Sequence, residues 1–410
     1  MSEWKKVKLG ECCEITSSKR CHASERSKEG IPFYCSKEII LLEKGESVQE
    51  CDYIPIDLYN TIRQKYGVPQ SGDLLLTTRG TNGVPYIYKD LDCFYFADGN
   101  LSWFKNFNDK LDVRYLYYWF KSHIGKHSID SIAKGTAQKA VPIDGLRSID
   151  IELPPLSIQI RIATILSRYD TLIENYQKQI KLLEEAAQRL YKEWFVELRF
   201  PGHENTKMVD GLPEGWERKK IDDVCVSISS GSTPSRNNKN YWENGTIKWV
   251  KTKELQDGWI LDTEEYITQD GYNNSSTKMF PENTVLMAIY ASPTLGRLGV
   301  LATECCCNQA ALGLIADDAK ISWQWLYWKL YELRDDFNSI ARGAGQQNIS
   351  GIVVKNKMIV VPDKPIIDAF TSAVSKMFEK QKNISSQIRL LTEARDRLLP
   401  RLMGGEIKIV

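Results

Sequence analysis

Residues 181–190 read KLLEEAAQRL, and residues 389–398 read RLLTEARDRL. The two stretches lie 208 positions apart in a chain of 410 residues, which is about half its length. The same offset places Gly135-Thr136-Ala137-Gln138 on Gly343-Ala344-Gly345-Gln346. Because further matched segments recur in the same order, the sequence predicts an internal repeat, in which each copy is a globular region followed by one long helix.

Both long helices carry apolar residues in alternating steps of four and three, the spacing of a coiled-coil seam. Pro154, Pro155 and Pro365 lie where these helices should begin, and Gly202 and Gly404 lie where they should end. About 40 residues at 1.5 Å each give a helix about 60 Å long. Two such helices in one chain most simply pair with each other, as a structural staple or, the interpretation we favour, as a ruler between globular regions. The predicted seam and partner-interface residues are Ile162, Tyr169, Tyr176, Leu183, Leu190, Trp194, Met377, Ile384, Leu391 and Leu398.

The globular halves have a different pattern. Residues 1–150 and 211–362 contain short apolar runs bounded by Gly, Pro, Asn and Asp, which is typical of strands joined by polar turns. Amphipathic stretches near residues 113–124 and 322–340 predict helices. Each half is therefore predicted to be a mixed α/β domain, and the polar stretch 202–214 is predicted to be a linker.

Composition limits the classes of function. The net charge of +1 excludes a uniformly basic nucleic-acid binder but leaves room for a local basic face. The sequence has no apolar run near the roughly 18–20 residues that span a bilayer, and MSEWKKVKLGE at the N-terminus lacks the apolar core of a signal peptide. The ten cysteines form no Cys-x-x-Cys pair, so we expect reduced thiols, with Cys305–Cys307 filling an apolar strand.

Catalytic motifs are missing from the sequence. It contains no Gly-x-x-x-x-Gly-Lys-Ser/Thr, no Gly-x-Gly-x-x-Gly and no Asn/Asp-Pro-Pro-Tyr/Phe. His123 and His127 have the spacing of two metal ligands on one helix face, but no third ligand is evident, so exposed helix residues are the favoured interpretation. We expect neither a catalytic residue nor a metal site in this chain.

Polar, basic, glycine-rich loops occur at matching places in the two halves. Residues 77–83 read TTRGTNG and residues 290–297 read YASPTLGR, each after an apolar strand. Glycine lets the backbone approach a ligand, and Arg, Asn and Thr can contact base edges or phosphates; an ordinary hairpin turn is the alternative. Matched lysines and the matched glutamine-containing segments extend this set. The candidate DNA-contacting residues are Lys37, Thr78, Arg79, Thr81, Asn82, Gln138, Lys139, Lys251, Lys253, Tyr290, Ser292, Thr294, Arg297, Gln346 and Gln347.

Several segments together resemble the specificity subunit of Type I restriction–modification systems. Residues 135–139 read GTAQK and residues 343–349 read GAGQQNI, and a hydrophobic strand follows each. LPEGW at residues 212–216 opens the second half, and LLPRLM at residues 398–403 lies near the end of the chain. The likeness covers essentially the whole sequence, and the order, duplication and spacing of the motifs make it specific.

This resemblance implies an α+β protein with two mixed α/β target-recognition domains and two long helices that pair as an antiparallel coiled coil, with pseudo-two-fold symmetry. The expected limits are 1–153 for the first domain, 154–200 for the central helix, 201–215 for the linker, 216–362 for the second domain and 363–410 for the C-terminal helix. Each domain would read one half of a split, asymmetric DNA target, with Arg79 and Arg297 as the leading base-edge candidates, and the helices would set the gap.

The resemblance also implies partners. Two modification subunits would bind the helices, hold S-adenosylmethionine and methylate adenine at N6, and restriction subunits with an ATP- and Mg-dependent translocase would join them. This chain would then be a non-catalytic, cytoplasmic protein of a bacterium or archaeon, without a cofactor of its own. Three alternatives remain: a coiled-coil scaffold that does not touch DNA, a complete methyltransferase or nuclease, and a DNA-binding regulator that acts alone.

Overall fold

The computed structural model describes residues 4–135, 139–290, 294–343 and 348–407. The chain divides into two compact units. The first unit comprises residues 1–175 with 390–410, and the second comprises residues 176–389. The limits of these units fall inside the two long helices, so each helix contributes one segment to each unit.

The first unit is built around a four-stranded antiparallel sheet whose central strands hold Leu74, Leu75 and Phe104, all fully buried. In spatial order its strands are Glu14–Thr16, Leu101–Lys105, Leu74–Thr77 and Pro85–Ile87. A three-stranded sheet contains Asp52–Ile54, Ile31–Tyr34 and Tyr95–Phe96, and a two-stranded sheet pairs Lys5–Lys8 with Asp150–Leu153. The helices are Ser36–Glu43, Ile56–Lys65, Val113–Lys121, His123–Ile132 and Ile143–Ser148, with short 3-10 turns at Leu9–Glu11 and Ala23–Glu25.

The second unit repeats these sheets. In spatial order its largest sheet contains Cys225–Ser230, Ala311–Ala316, Val285–Ala288, Leu298–Leu301 and Gly258–Ile260. The smaller sheets contain Glu265–Ile267, Ile247–Val250 and Cys306–Cys307, then Glu217–Lys220 with Met358–Val361, and Met208–Val209 with Leu212–Pro213. The helices are Gln269–Asn273, Trp323–Glu332, Arg334–Gly343 and Gly351–Asn356, with 3-10 turns at His203–Asn205, Ile221–Val224, Lys239–Tyr241 and Thr252–Glu254.

The two units share one strand order. In each, the strand before the polar loop, Leu74–Thr77 or Val285–Ala288, lies between two strands that follow it in the sequence, and all these pairs are antiparallel. In each three-stranded sheet, the central strand has one antiparallel and one parallel neighbour. The second unit differs by the added edge strand Gly258–Ile260, which is parallel to Leu298–Leu301. The predicted internal repeat is therefore confirmed at the level of topology.

The long helices are Leu156–Tyr191, which continues as a π-turn at Lys192–Val196, and Lys364–Met403. We name them the central helix and the C-terminal helix. They begin at the predicted prolines, and the C-terminal helix ends at the predicted glycines; the central helix ends a few residues before Pro201.

The two helices run antiparallel within each unit. In the first unit, Arg395 Nη1 lies 2.7 Å from Asp170 Oδ1, while Leu402 shares an apolar cluster with Ile162. In the second unit, the rings of Tyr191 and Phe370 are 6.1 Å apart, and Ile180 and Glu184 line a cavity together with Gln381 and Ser385. Residue numbers rise along one helix where they fall along the other, as the antiparallel coiled-coil prediction requires. The α+β fold class is thus confirmed.

The predicted seam residues are all buried or partly buried. Ile162 and Ile384 are buried, and the other eight are partly buried. Gln381, which follows Met377 by four residues and so continues the seam spacing, is a polar exception. Its side chain is buried, with 5% of its surface exposed. Cys305, Cys306 and Cys307 are buried as expected, and burial raises the pKa of Cys307 to about 12.

Two further observations concern membranes and metals. Within the described ranges, no helix combines the length and the apolar character that a bilayer crossing needs. The same part of the chain contains no group of three or more His, Cys, Asp or Glu side chains placed to hold a metal ion. His123 and His127 are exposed on their helix.

Candidate nucleic-acid interface

The loop after the strand Leu74–Thr77 closes on itself through backbone hydrogen bonds. Thr77 N donates to Val84 O at 3.0 Å, and Gly83 N donates to Thr77 O at 2.7 Å. Gly80 and Gly83 have φ values of +81° and +82°, a conformation that side-chain-bearing residues rarely adopt. The glycines therefore fold the chain back and leave residues 79–81 exposed at the tip.

Two predicted contact residues hold this loop in place. Thr78 is 3% exposed; its N–H donates to Asn100 O at 2.8 Å and its carbonyl accepts from Val141 N at 3.0 Å. Asn82 Nδ2 donates to Lys139 O at 3.1 Å and ties the loop to its neighbour. Thr78 and Asn82 therefore stabilise the loop conformation. The burial of Thr78 argues against a direct contact with DNA.

Three polypeptide segments meet around Arg79. Ser36 Oγ donates to Arg79 O at 3.0 Å, and Arg79 lies opposite Ala140 in an isolated antiparallel bridge. Lys134 and Ala140 exchange both backbone hydrogen bonds at 2.9 Å. These contacts bring together four exposed basic side chains, which we call the basic loop cluster: Lys37, Arg79, Lys134 and Lys139.

None of the four side chains of the basic loop cluster makes an ion pair in the described part of the chain. Thr81 lies exposed beside Arg79 at the loop tip, and Gln138 lies outside the described residues. Sequence reasoning missed Lys134, although Lys134 and Lys139 bracket the Gly135 motif and that bracketing was a usable signal.

The second unit closes its loop in the same way. Ala288 N donates to Arg297 O and Gly296 N donates to Ala288 O, both at 2.9 Å. Ile349 N donates to Ile289 O at 3.0 Å, which matches the bond from Val141 to Thr78. Gly296 has a φ of +78° and takes the place of Gly83.

This hydrogen-bond pattern sets the residue correspondence between the two loops. It places Tyr290 at the position of Arg79, and Arg297 at the position of Val84. The second loop is two residues longer between its closing bonds, so Arg297, the other base-edge candidate, does not occupy a position equivalent to Arg79. The two units thus present a guanidinium and a phenol ring at equivalent exposed positions.

The other candidates in the second unit are mostly engaged with neighbours. Tyr290 is 40% exposed, whereas Arg297 is partly buried with its Nη1 3.4 Å from Gln256 Oε1. Thr294 Oγ1 donates to Tyr290 O at 3.1 Å. Ser292, Gln346 and Gln347 lie outside the described residues.

The matched lysines of the second unit are ion-paired. Lys251 Nζ lies 2.6 Å from Glu265 Oε1 and 3.4 Å from Glu264 Oε2, and Lys253 also pairs with Glu264. The hydrogen bond from Lys253 is the largest cause that holds the pKa of Glu264 below its ordinary value. Lys251 and Lys253 therefore sit in a locally neutral patch, unlike Lys37.

A family model described as the Type I restriction modification DNA specificity domain matches residues 1–185 and again residues 213–393. The chain belongs to this family of specificity subunits. The MjaIX specificity subunit of Methanocaldococcus jannaschii is 28% identical over 348 residues, which cover 82% of this chain and 78% of that protein. The HindI specificity subunit of Haemophilus influenzae is 25% identical over 330 residues, covering 65% of this chain and 71% of the relative.

The fold comparison agrees with the sequence comparisons. The crystal structure of a Type-I restriction-modification system S subunit from M. genitalium aligns with a TM-score of 0.64, covering 98% of this chain and 96% of that one. At 16% identity this likeness concerns the fold alone. The matches confirm that this protein is a DNA-recognition subunit of a Type I restriction–modification system.

Proposed function

We propose that this specificity subunit reads a split, asymmetric DNA target, one half with each recognition domain, and positions two adenine-N6 methyltransferase subunits on it. The observation that carries the proposal is the repeated loop: two units with one strand order close equivalent loops with equivalent hydrogen bonds. The recognition domains would occupy residues 1–153 and 216–362. The paired helices would fix the number of unread base pairs between half-sites.

The chain's own part in this proposal is recognition, without catalysis. Arg79 is exposed, free of an ion pair within the described residues, and held at a glycine-closed tip. A guanidinium in that setting can donate two hydrogen bonds to guanine O6 and N7 in the major groove. The modification subunits would flip one adenine per half-site and bind S-adenosylmethionine. Restriction subunits would bring ATP and Mg, and the assembly would act on DNA in the cytoplasm.

Single-molecule methylation sequencing tests this function. Cells would carry this chain with its modification subunit, and we expect N6-methyladenine on opposite strands of one split motif. A continuous motif, or no new methylation from a soluble and associated pair, would contradict the proposal. The scaffold alternative predicts no salt-dependent DNA affinity even with partners, and the stand-alone regulator predicts tight specific binding by the purified chain alone.

Arg79→Ala tests base reading directly. We expect the methylated motif to lose discrimination at one base of one half-site, by about 1–3 kcal/mol or roughly 5- to 150-fold. Arg63→Ala is the matched control, because Arg63 is an exposed arginine of the same unit outside the basic loop cluster. If Arg79→Ala weakened methylation of all sequences equally, the base-reading role would be wrong.

A further inference from the structure

The two units differ sharply in available positive charge at equivalent loops. The first unit offers Lys37, Arg79, Lys134 and Lys139 on three adjacent segments, all exposed and without ion pairs in the described ranges. Among the described side chains, the second unit presents the phenol ring of Tyr290 at the position of Arg79, and the side chain of Arg342, which the repeat offset matches to Lys134, lies outside the described set. This difference is not visible in the net charge of the chain, which is +1.

Three described cations of the second unit, Lys251, Lys253 and Arg236, are held by two carboxylates. Glu265 accepts a hydrogen bond from Lys251 at 2.6 Å, and its Oε2 lies 2.6 Å from Arg236 Nη1 in an ion pair, while Glu264 pairs with Lys253. The Arg236 guanidinium also lies 3.6 Å from the ring centroid of Trp242, so it is fixed on its apolar face as well. A phosphate would have to displace these partners before any of the three cations could neutralise it.

We propose that the specificity subunit grips DNA asymmetrically: the basic loop cluster of the first unit supplies the phosphate contacts, and the second unit reads its half-site through near-neutral contacts centred on Tyr290. The proposal rests on the proposed function and names the chemistry of each half-site. Phosphate contacts release condensed counterions, so each one steepens the fall of affinity with salt. An aromatic ring against base or sugar releases none. The salt dependence of binding should therefore belong almost entirely to the first unit.

The experiment measures affinity against salt for three variants of the full chain, assembled with its modification subunits. The test variant carries Lys37→Gln, Lys134→Gln and Lys139→Gln. The charge-matched control carries Lys28→Gln, Lys44→Gln and Lys65→Gln, which are exposed lysines of the same unit outside the cluster. The third variant, Lys253→Gln with Glu264→Gln, removes the Lys253–Glu264 ion pair and the 3.4 Å contact of Glu264 with Lys251 without changing the net charge.

Fluorescence anisotropy with a labelled duplex gives the slope of log affinity against log salt between about 50 and 200 mM. Each lost phosphate contact lowers the slope by about 0.9, so the test variant should lose up to about 2.7. Its deficit relative to the unaltered chain should then be about 40-fold larger at the low-salt end than at the high-salt end. The control and the third variant should keep the original slope.

Two results would overturn the asymmetry. One is an equal loss of slope in the test variant and the charge-matched control, which would mean that only total charge matters. The other is a test variant with an unchanged slope. Circular dichroism of each variant shows that folding is intact.

Failure of the proposed function would be seen separately. The slope can be measured on a duplex of arbitrary sequence, whereas the function is judged by the split methylation motif. If the slope is steep and depends on the basic loop cluster but no split motif is methylated, the asymmetric phosphate contacts are supported and the proposed function is rejected. If a split motif is methylated but the slope does not depend on the basic loop cluster, the proposed function is supported and the asymmetric phosphate contacts are rejected.

Discussion

Replacement of Glu184 by Gln should change how the stability of the chain depends on pH. Glu184 lies on the central helix and lines a cavity of about 30 Å³ together with Asp257, Gln381 and Ser385, among aromatic and aliphatic side chains. Burial raises the pKa of Glu184 to about 7, and the negative charges of Asp257 and Glu185 add to that effect.

The other groups around Glu184 do not offset this cost. The Asp257 carboxylate already accepts hydrogen bonds from both terminal nitrogens, Nη1 and Nη2, of Arg334. The hydroxyl of Tyr327 donates to the backbone carbonyl of Asp257 at 2.7 Å. The cavity therefore places the Glu184 carboxylate near the Asp257 carboxylate, whose counter-charge, Arg334, is already bound to Asp257. The neutral form of Glu184 is the form that the folded state favours.

The raised pKa of Glu184 determines the sign and the size of the pH effect on the free energy of unfolding. The folded protein binds a proton on Glu184 up to pH 7 or so, whereas the unfolded chain releases it near the ordinary value of 4.5. The stabilisation is fully present below the unfolded pKa and is lost as pH rises through the folded pKa. The shift corresponds to roughly 3 kcal/mol, most of which disappears between about pH 5 and about pH 8.

Urea unfolding of the full chain at these two pH values measures the effect. Glu184→Gln should be close to neutral at about pH 5 and stabilising by about 2–3 kcal/mol at about pH 8. Glu304→Gln, at an exposed position of the same unit, should show no such difference. If Glu184→Gln destabilised the chain more at the higher pH, or shifted both values equally, the account of the buried acid would be wrong.

Two other substitutions test the packing of each unit by chemical denaturation. Arg395→Ala removes the partner of Asp170, which lies at 2.7 Å and also accepts from Tyr118 Oη at 2.6 Å, so we expect a loss of about 2 kcal/mol and partial recovery with Arg395→Lys. Gly231→Ala would place a methyl group 2.0 Å from Cys307 O and should cost a few kcal/mol, whereas Gly258→Ala meets nothing within 4 Å and should cost far less. An equal effect of the two glycine changes would contradict the steric reasoning.

The long helices could be predicted almost completely, because their signals are local. The heptad spacing, the prolines and the terminal glycines each act within a few residues. The shorter helices were harder to predict from the sequence. Residues 113–124 were expected to form one helix, but Ser122 ends the first helix and caps the next one. The Ser122 side chain accepts a hydrogen bond from Gly125 N at 3.2 Å. Serine in mid-pattern can face solvent or cap a new helix, and the sequence pattern does not separate these cases.

The charge state of the candidate site depended on contacts between distant segments. The sequence gives Lys37, Lys251 and Lys253 the same appearance, as single lysines in matched segments. The structure separates them because the strand Glu265–Ile267 pairs with Ile247–Val250, which brings Glu264 and Glu265 to Lys251 and Lys253. Strand pairing of this kind is set by tertiary packing, so no motif in the lysine segments predicts it.

The equivalence of Arg79 and Tyr290 has a consequence for how recognition domains of this chain are compared. At the fixed repeat offset of 208 residues, Arg79 would be paired with the strand residue Met287. The closing hydrogen bonds are independent of loop length, because they join the strand end to the same neighbours in both units. Position in this backbone frame decides which side chain reaches the exposed tip. Exchanges between the two domains should therefore pair Arg79 with Tyr290, and an exchange of Arg79 with Arg297 would compare a loop tip with a partly buried strand end.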